Sequence, residues 1–490
     1  MLFDLLNRLD NWKRCFDPAR ADELENLLGE IATTSIDDPA TLIRLHETLL
    51  FLRACPLNSR VARLADRILF GFAGRVRDLD PAPFAAPEVS GIDGTSLTAV
   101  FSYEVARGLA ERHPKDVEVA WDCVEESDGS GSALSKLLPM MAEDWPVEAH
   151  VPYQRWVSVT RPRGFTDLGW LLERADAASY PAFPITWNIR GRHSRSRMRL
   201  PGRKLFYHRE PLIRRADVSI AGALDAPPLP VRRLSKPEAL SLLALVLDTS
   251  SMRYRELYGF SHPEAGAVYH TDPGRGVDFY FWGVPPDRRL PLRAYHCGAF
   301  FKNGVPAGYV ELLSFFERAE VGFNLYYTFR EGESAWLYAQ LLRLFHQVLG
   351  VECFTVDPYQ IGLENGEAID SGAFWFYRKL GFRPVSPDAA RLLEREEEGM
   401  RRDPSHRSSK ATLRRLAKSY LIYEGSAANP GEWDRFTIRN LAIALQRDGI
   451  PPSARPILAA KRHGEETRYL RLLQANPRLR QQWIAAGSAL

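Results

Sequence analysis

The run from Tyr309 to Phe382 constrains the fold more than any other part of the chain, because its apolar pattern changes between the strand and helix periods at two recognisable junctions. It reads as strand, turn, amphipathic helix, strand and helix. At the first junction the strand Val321-Gly-Phe-Asn-Leu-Tyr-Tyr-Thr-Phe329 meets Arg330-Glu-Gly-Glu-Ser-Ala335. The helix that follows carries Leu337, Leu341, Leu344, Phe345 and Val348 on one face and stops at Gly350. Small residues and a cation where a strand feeds a helix leave backbone N–H groups and the positive helix end facing an anion, and a pyrophosphate suits such a place. The second junction, Tyr377-Arg-Lys-Leu-Gly-Phe382, puts a phenol one turn before a glycine stop on a short aromatic helix.

A chain of 490 residues exceeds one ordinary core, and about two to four domains are expected. With 45% hydrophobic and 26% charged residues there is ample material to bury, and 64 basic against 61 acidic residues give no field that argues for nucleic acid or a membrane. Cys15, Cys55, Cys123, Cys297 and Cys353 are odd in number and scattered, without CxxC or His-rich spacing, so no metal site is expected and a reducing cytoplasm fits. The opening Met1-Leu-Phe-Asp-Leu-Leu meets Asp4, Arg8 and Asp10 too soon for a signal segment, and no apolar run reaches about 18 residues. Neither secretion nor a membrane span is expected.

Four segments are read along the chain. Residues 1–80 form a helical domain, with Leu42, Leu45, Leu49 and Leu52 and then Val61, Leu64 and Ile68 at helical spacing around the break Pro56-Leu-Asn-Ser59. Residues 81–230 are mixed α/β of unknown topology, ending in the proline-rich linker after Asp225. Residues 231–390 form an α/β module that opens with a helix from Pro237 to Leu247, which Ser235 can cap, and contains a hairpin turned at Asn303-Gly304. Residues 391–490 are a charged helical appendage that includes the apolar runs 436–445 and 469–473. Within the second segment, Arg195, Arg197 and Arg199 would line one side of an extended strand, either as a ladder for phosphates or as the charged guard of an exposed edge.

The two junctions together resemble the GNAT acyl-CoA N-acyltransferase superfamily, over about residues 236–386. The resemblance implies a multidomain α+β protein whose third segment is a GNAT-like mixed sheet, opened into a V by two diverging parallel strands, with helices on both faces and helical segments on either side. It implies acetyl-CoA or another acyl-CoA as co-substrate and a primary amine, on a small molecule or a protein, as acceptor. Leu325, five before the motif, and its neighbours Tyr326 and Tyr327 would offer backbone N–H groups, and Arg330, Glu331, Gly332, Glu333, Ser334 and Ala335 would hold the pyrophosphate. Asp370 and Ala373 occupy the positions seven and four before the tyrosine, while Asn365 and Ala368 give a second register five residues earlier. Tyr377 would be the general acid. Glu311, on the preceding strand with Tyr309, Leu313 and Phe315, would be the base, with Glu320 and His296 as fallbacks.

One position departs from the family motif, which has glycine where this chain has Glu333. A carboxylate about 4 Å from a phosphate costs roughly 4 kcal/mol at an effective dielectric near 20, more than the ~0.3–1 kcal/mol a helix N-terminus supplies. Either the Glu333 side chain turns away, or the loop slides so that Gly332 makes the approach, or coenzyme A is not held. Two alternatives to the acyl-CoA enzyme follow: the same fold using an aminoacyl-tRNA donor, for which the arginine ladder would matter, and a non-catalytic ligand- or partner-binding module.

Overall fold

Asn303 and Gly304 adopt φ of 48° and 79°, the left-handed pair that a tight hairpin needs, and so β7 (Ala294–Lys302) turns back as β8 (Val305–Phe315). The computed structural model is an α+β protein. It describes residues 2–127, 151–176, 182–202, 204–290, 292–426, 428, 430–434, 436, 438, 454–462 and 466–488. They fall into two compact units: Met1–Pro211 with Ser241–Ser261 and Asn303–Pro306, and Leu212–Leu240 with His262–Lys302 and Ala307–Leu490. Among the described residues, no helix is long and apolar enough to cross a membrane.

The first unit has two cores. The helices Leu2–Trp12, Ala21–Thr33, Pro39–Ala54 and Ser59–Phe70 bury Leu9, Leu28, Leu45, Leu49 and Leu69 against one another. The break at Pro56-Leu-Asn-Ser59 is real: Asn58 caps the next helix, its Oδ1 accepting the N–H groups of Arg60 and Val61 at 2.9 and 2.8 Å. The second core forms on a three-stranded antiparallel sheet with β3 (Ala182–Asn188) between β1 (Ser96–Ser102) and β2 (Val117–Val119), burying Phe101, Leu109, Ile185 and Trp187.

The arginine ladder does not exist. After β3 the chain enters a short 3₁₀ turn, Gly191–His193, followed by turns and irregular backbone, and each arginine meets an internal partner. Arg195 is buried against both oxygens of Glu47 at 2.9 and 2.8 Å, Arg197 pairs with Asp93 at 2.8 Å, and Arg199 pairs with Asp66 at 3.5 Å. Alternation in sequence suggested one charged side, but with the extended backbone absent the three side chains diverge to three acids that sequence could not associate with them.

The second unit is organised on a nine-stranded sheet. β4 (Val231–Arg233), β5 (Val268–Gly274), β6 (Val277–Gly283), β7, β8 and β9 (Arg318–Leu325) follow one another in antiparallel order. The helix Ser334–Leu349 then carries the chain to β10 (Cys353–Val356), parallel to β9, and that helix ends where Gly350 takes φ of 68°. β11 (Arg383–Pro384) and β12 (Leu421–Glu424) complete the sheet in the order β10, β12, β11. The segment after residue 390 is therefore not wholly a helical appendage, since Leu421–Glu424 sits inside the sheet. Four residues between charged helices are too short a run for periodicity to reveal. The run 469–473 lies in the helix Glu466–Gln474, and most of the run 436–445 lies outside the described residues.

His46 reports on the first unit. It is fully buried, with Nε2 at 2.9 Å from Ser196 Oγ and Nδ1 at 3.1 Å from Glu47. Burial pushes its imidazole down to about 4, with Arg195 and Arg53 adding to the effect and Glu47 opposing it. A proton thus binds the unfolded chain more readily than the folded one. The stability held by neutral His46 is complete above about pH 6.5 and drains away as pH falls toward 4. In thermal melts, His46→Gln should fall less steeply than wild type between pH 6.5 and 4, and parallel curves would show that this histidine is not responsible.

Candidate functional site

The sheet of the second unit parts between β9 and β10. They pair only at Arg318↔Cys353, Ala319↔Phe354 and Glu320↔Thr355, after which β9 continues to Leu325 while β10 stops at Val356. What ends β10 is local: Asp357 accepts the N–H of Tyr359 at 2.9 Å and starts the helical turn Pro358–Ile361, in which Pro358 has no N–H to offer a neighbouring strand. Beyond that point one edge of β9 faces a gap.

Alternation decides which amides face it. Tyr326 N–H donates to Ala307 O at 3.0 Å, on the β8 side, so the N–H groups of Phe323 and Leu325 lie on the edge toward the parting. Phe323 N–H donates to Oε1 of Gln360 at 3.3 Å, and the Tyr377 hydroxyl donates to the same oxygen at 3.4 Å. Gly322 leaves room for the Gln360 side chain; a Cβ there would come within 2.8 Å of its Nε2. Two expectations need correction here. Tyr326 N–H is consumed by β8, and Tyr327 lies in a 3₁₀ turn, Tyr327–Phe329, rather than on the strand. Phe323 and Gln360 went unnoticed, because neither belongs to a motif and they meet only through the sheet's parting.

Tyr377 stands across the gap on the helix Ala373–Arg378, one turn before Gly381 at φ 102°. Its ring is packed by Tyr338, Phe376 and Phe382 at centroid distances of 5.5, 5.2 and 5.7 Å, only 4% of the residue is exposed, and burial pushes its phenol up. Tyr338, fully buried beside it and against Phe323, has no hydrogen-bond partner for its hydroxyl among the described residues. Glu311 lies opposite Gly322 across β8 and β9 and accepts a hydrogen bond from Tyr295. Burial raises its carboxyl, against the lowering effect of that hydrogen bond. Glu311, Gly322, Gln360 and Tyr377 thus form one row across the parting.

The fallback bases fare worse. His296 is buried in the wall of a separate cavity of about 810 Å³ bounded by Trp282, Phe345 and Leu349, and burial with Arg289 nearby pushes it down to about 3, too weak to take a proton from an amine. Glu320 is buried where β9 still pairs with β10.

The helix Ser334–Leu349 begins at the same end of the sheet, and its N-cap residue, Glu333, makes no side-chain cap, so the first turn has the anion-attracting character of a helix N-terminus. Gly332 N–H turns back to Phe329 O at 3.0 Å. Arg330 is exposed and pairs with Glu367 at 2.6 Å, and Glu331 is exposed beside it. Glu333 is turned inward: its carboxylate accepts Ile213 N–H at 3.1 Å and pairs with Arg275 and, at 3.2 Å, with Lys302. Burial raises its carboxyl, but these partners outweigh that and hold it below the usual range. Asp370 is exposed and pairs with Lys410 at 2.5 Å, away from the parting, and Ala373 starts the tyrosine's helix. Asn365 caps the helix Gly366–Asp370, accepting Ala368 N–H at 3.1 Å.

No family model, curated protein or solved structure matches this chain.

Glu333→Gln should leave Arg275 and Lys302 without their shared counter-charge inside the second unit, a loss of about 3 kcal/mol. The expected result is a lower urea midpoint at unchanged slope. A midpoint equal to wild type would mean that the carboxylate is solvated.

Proposed function

We propose that the second unit is a GNAT-like, acyl-CoA-dependent N-acyltransferase, with acetyl-CoA the first donor to try and a primary amine as acceptor. One observation carries the reading: an edge amide, Phe323 N–H, and the Tyr377 hydroxyl converge from opposite sides of a sheet parting on one carbonyl oxygen, Gln360 Oε1. That oxygen stands in for the carbonyl of a thioester. Further support comes from the strand order β8, β9, β10, β12, β11, from the parallel β9–β10 step joined by one helix, and from that helix's start, which the Glu333 side chain does not cap. The inward turn of Glu333 removes the repulsion that a carboxylate in this loop would otherwise exert on a diphosphate.

The donor would supply an activated acyl carbon and a thiol leaving group. Phe323 N–H, fixed by the sheet, would stabilise charge growing on the carbonyl oxygen without reorganising. Glu311, its carboxyl raised by burial, would take the proton released by the attacking amine, directly or through water. Tyr377, kept protonated by burial, would return a proton to the departing thiolate. Ser334 and Ala335 would meet the diphosphate with their amides, and exposed Arg330 could leave Glu367 to join them.

A second reading is favoured by the burial of Tyr377 and by Gln360 itself, which together fill the place a thioester would need. On that reading the unit is a non-catalytic scaffold. The aminoacyl-tRNA alternative loses its support, because Arg195, Arg197 and Arg199 are engaged by acids.

Calorimetry with acetyl-CoA distinguishes them. Gln360→Ala should bind it roughly tenfold more tightly than wild type, about the worth of one competing hydrogen bond. Tyr377→Phe should lose turnover at unchanged affinity. No heat from wild type or from Gln360→Ala at millimolar acetyl-CoA would leave only the scaffold.

A further inference from the structure

We infer that the first unit holds a site for a late first-row divalent metal ion, zinc(II) by preference, formed by His113, His193 and Asp248. The three residues come from distant parts of the chain: His113 follows the helix Tyr103–Arg112, His193 ends the 3₁₀ turn after β3, and Asp248 lies in the helix Lys236–Ser251. One potential ligand atom from each lies within 4.8 Å of the others. His113 Nε2 is 2.8 Å and His193 Nδ1 is 3.7 Å from the same oxygen, Asp248 Oδ2. Two imidazoles and one carboxylate are the donor set that suits zinc and its neighbours in the row, in the three-ligand form that leaves a position for water.

The surroundings orient these donors. Arg112 takes the other carboxylate oxygen, its Nε 2.9 Å from Oδ1, and so keeps Oδ2 toward the rings. Trp187 stacks on His113 at a centroid distance of 4.9 Å. His113 and Asp248 are buried, whereas the His193 side chain is 33% exposed, so the cluster has a closed back and an open front through which an ion can enter. On the open side, exposed Arg192 donates from Nε to His193 Nε2 at 3.0 Å. Metal binding at His193 Nδ1 therefore moves the ring proton across to Nε2 and gives up the Arg192 contact. The Asp248 charge is shared with Arg112, which makes the site weaker than one with an unengaged carboxylate.

The ion would tie three segments of the first unit together, and the test uses that. The untagged full-length chain is dialysed free of metal and titrated with zinc(II) and, for its absorption bands, with cobalt(II). Expected are about one bound equivalent per chain, cobalt bands of a tetrahedral site, and a melting temperature that rises with zinc and falls back with chelator. His193→Ala, at the open front where folding should tolerate it, should weaken binding at least tenfold, as should Asp248→Asn. A wild-type chain that takes up no ion at 100-fold excess overturns the proposal. So does a His193→Ala variant, shown folded by circular dichroism, that binds as tightly as wild type, since the ion would then sit elsewhere.

Discussion

Everything distinctive in the second unit depends on a mismatch of strand lengths. β9 runs eight residues and β10 four, and their parallel pairing covers only three positions before β10 gives way to the Pro358–Ile361 turn. An antiparallel neighbour on the other side, β8, keeps β9 straight and extended past that point. The result is an exposed strand edge with amides to satisfy inside an otherwise buried region, and unpaired buried N–H groups are costly. Gln360 meets that demand for Phe323, and its amide nitrogen lies over Gly322, where a Cβ would come within 2.8 Å of it. On the acyltransferase reading proposed above, a donor carbonyl would compete for the same amide.

Charge placement follows a second rule, that buried ions keep company. Glu333 with Arg275 and Lys302, Glu47 with Arg195, and Asp248 with Arg112 and two histidines each put an acid among cationic or hydrogen-bonding partners from remote parts of the chain. In the first two cases a residue had a more obvious role when read along the chain. Glu333 stood in a phosphate loop and Arg195 on a basic ladder, yet both are internal ties.

Local signals were the legible ones. The Asn303-Gly304 turn, the break at Pro56-Leu-Asn-Ser59, the stop at Gly350 and the helix before it all rest on backbone preferences and 3.6-residue spacing that are complete within a few residues. Glu311 and Tyr377 entered through the resemblance to a family motif, and the short-range features around them, strand alternation at Glu311 and the glycine turn at Gly381, are present in the structure. β12 was missed because a four-residue strand has too little periodicity to stand out, and its partners are more than thirty residues away in the chain.

By itself, then, the chain's order of residues determined several helix and turn boundaries, and which stretch runs strand–helix–strand, since hydrogen bonds and backbone sterics act within a few residues. Only the tertiary structure decided which side chains those elements turn toward one another: Gln360 into the gap of β9, Glu333 away from the helix start, His113 and His193 onto Asp248. Such choices are settled by desolvation and by the geometry of packed neighbours, and both come into being only once residues far apart in the chain have been brought together.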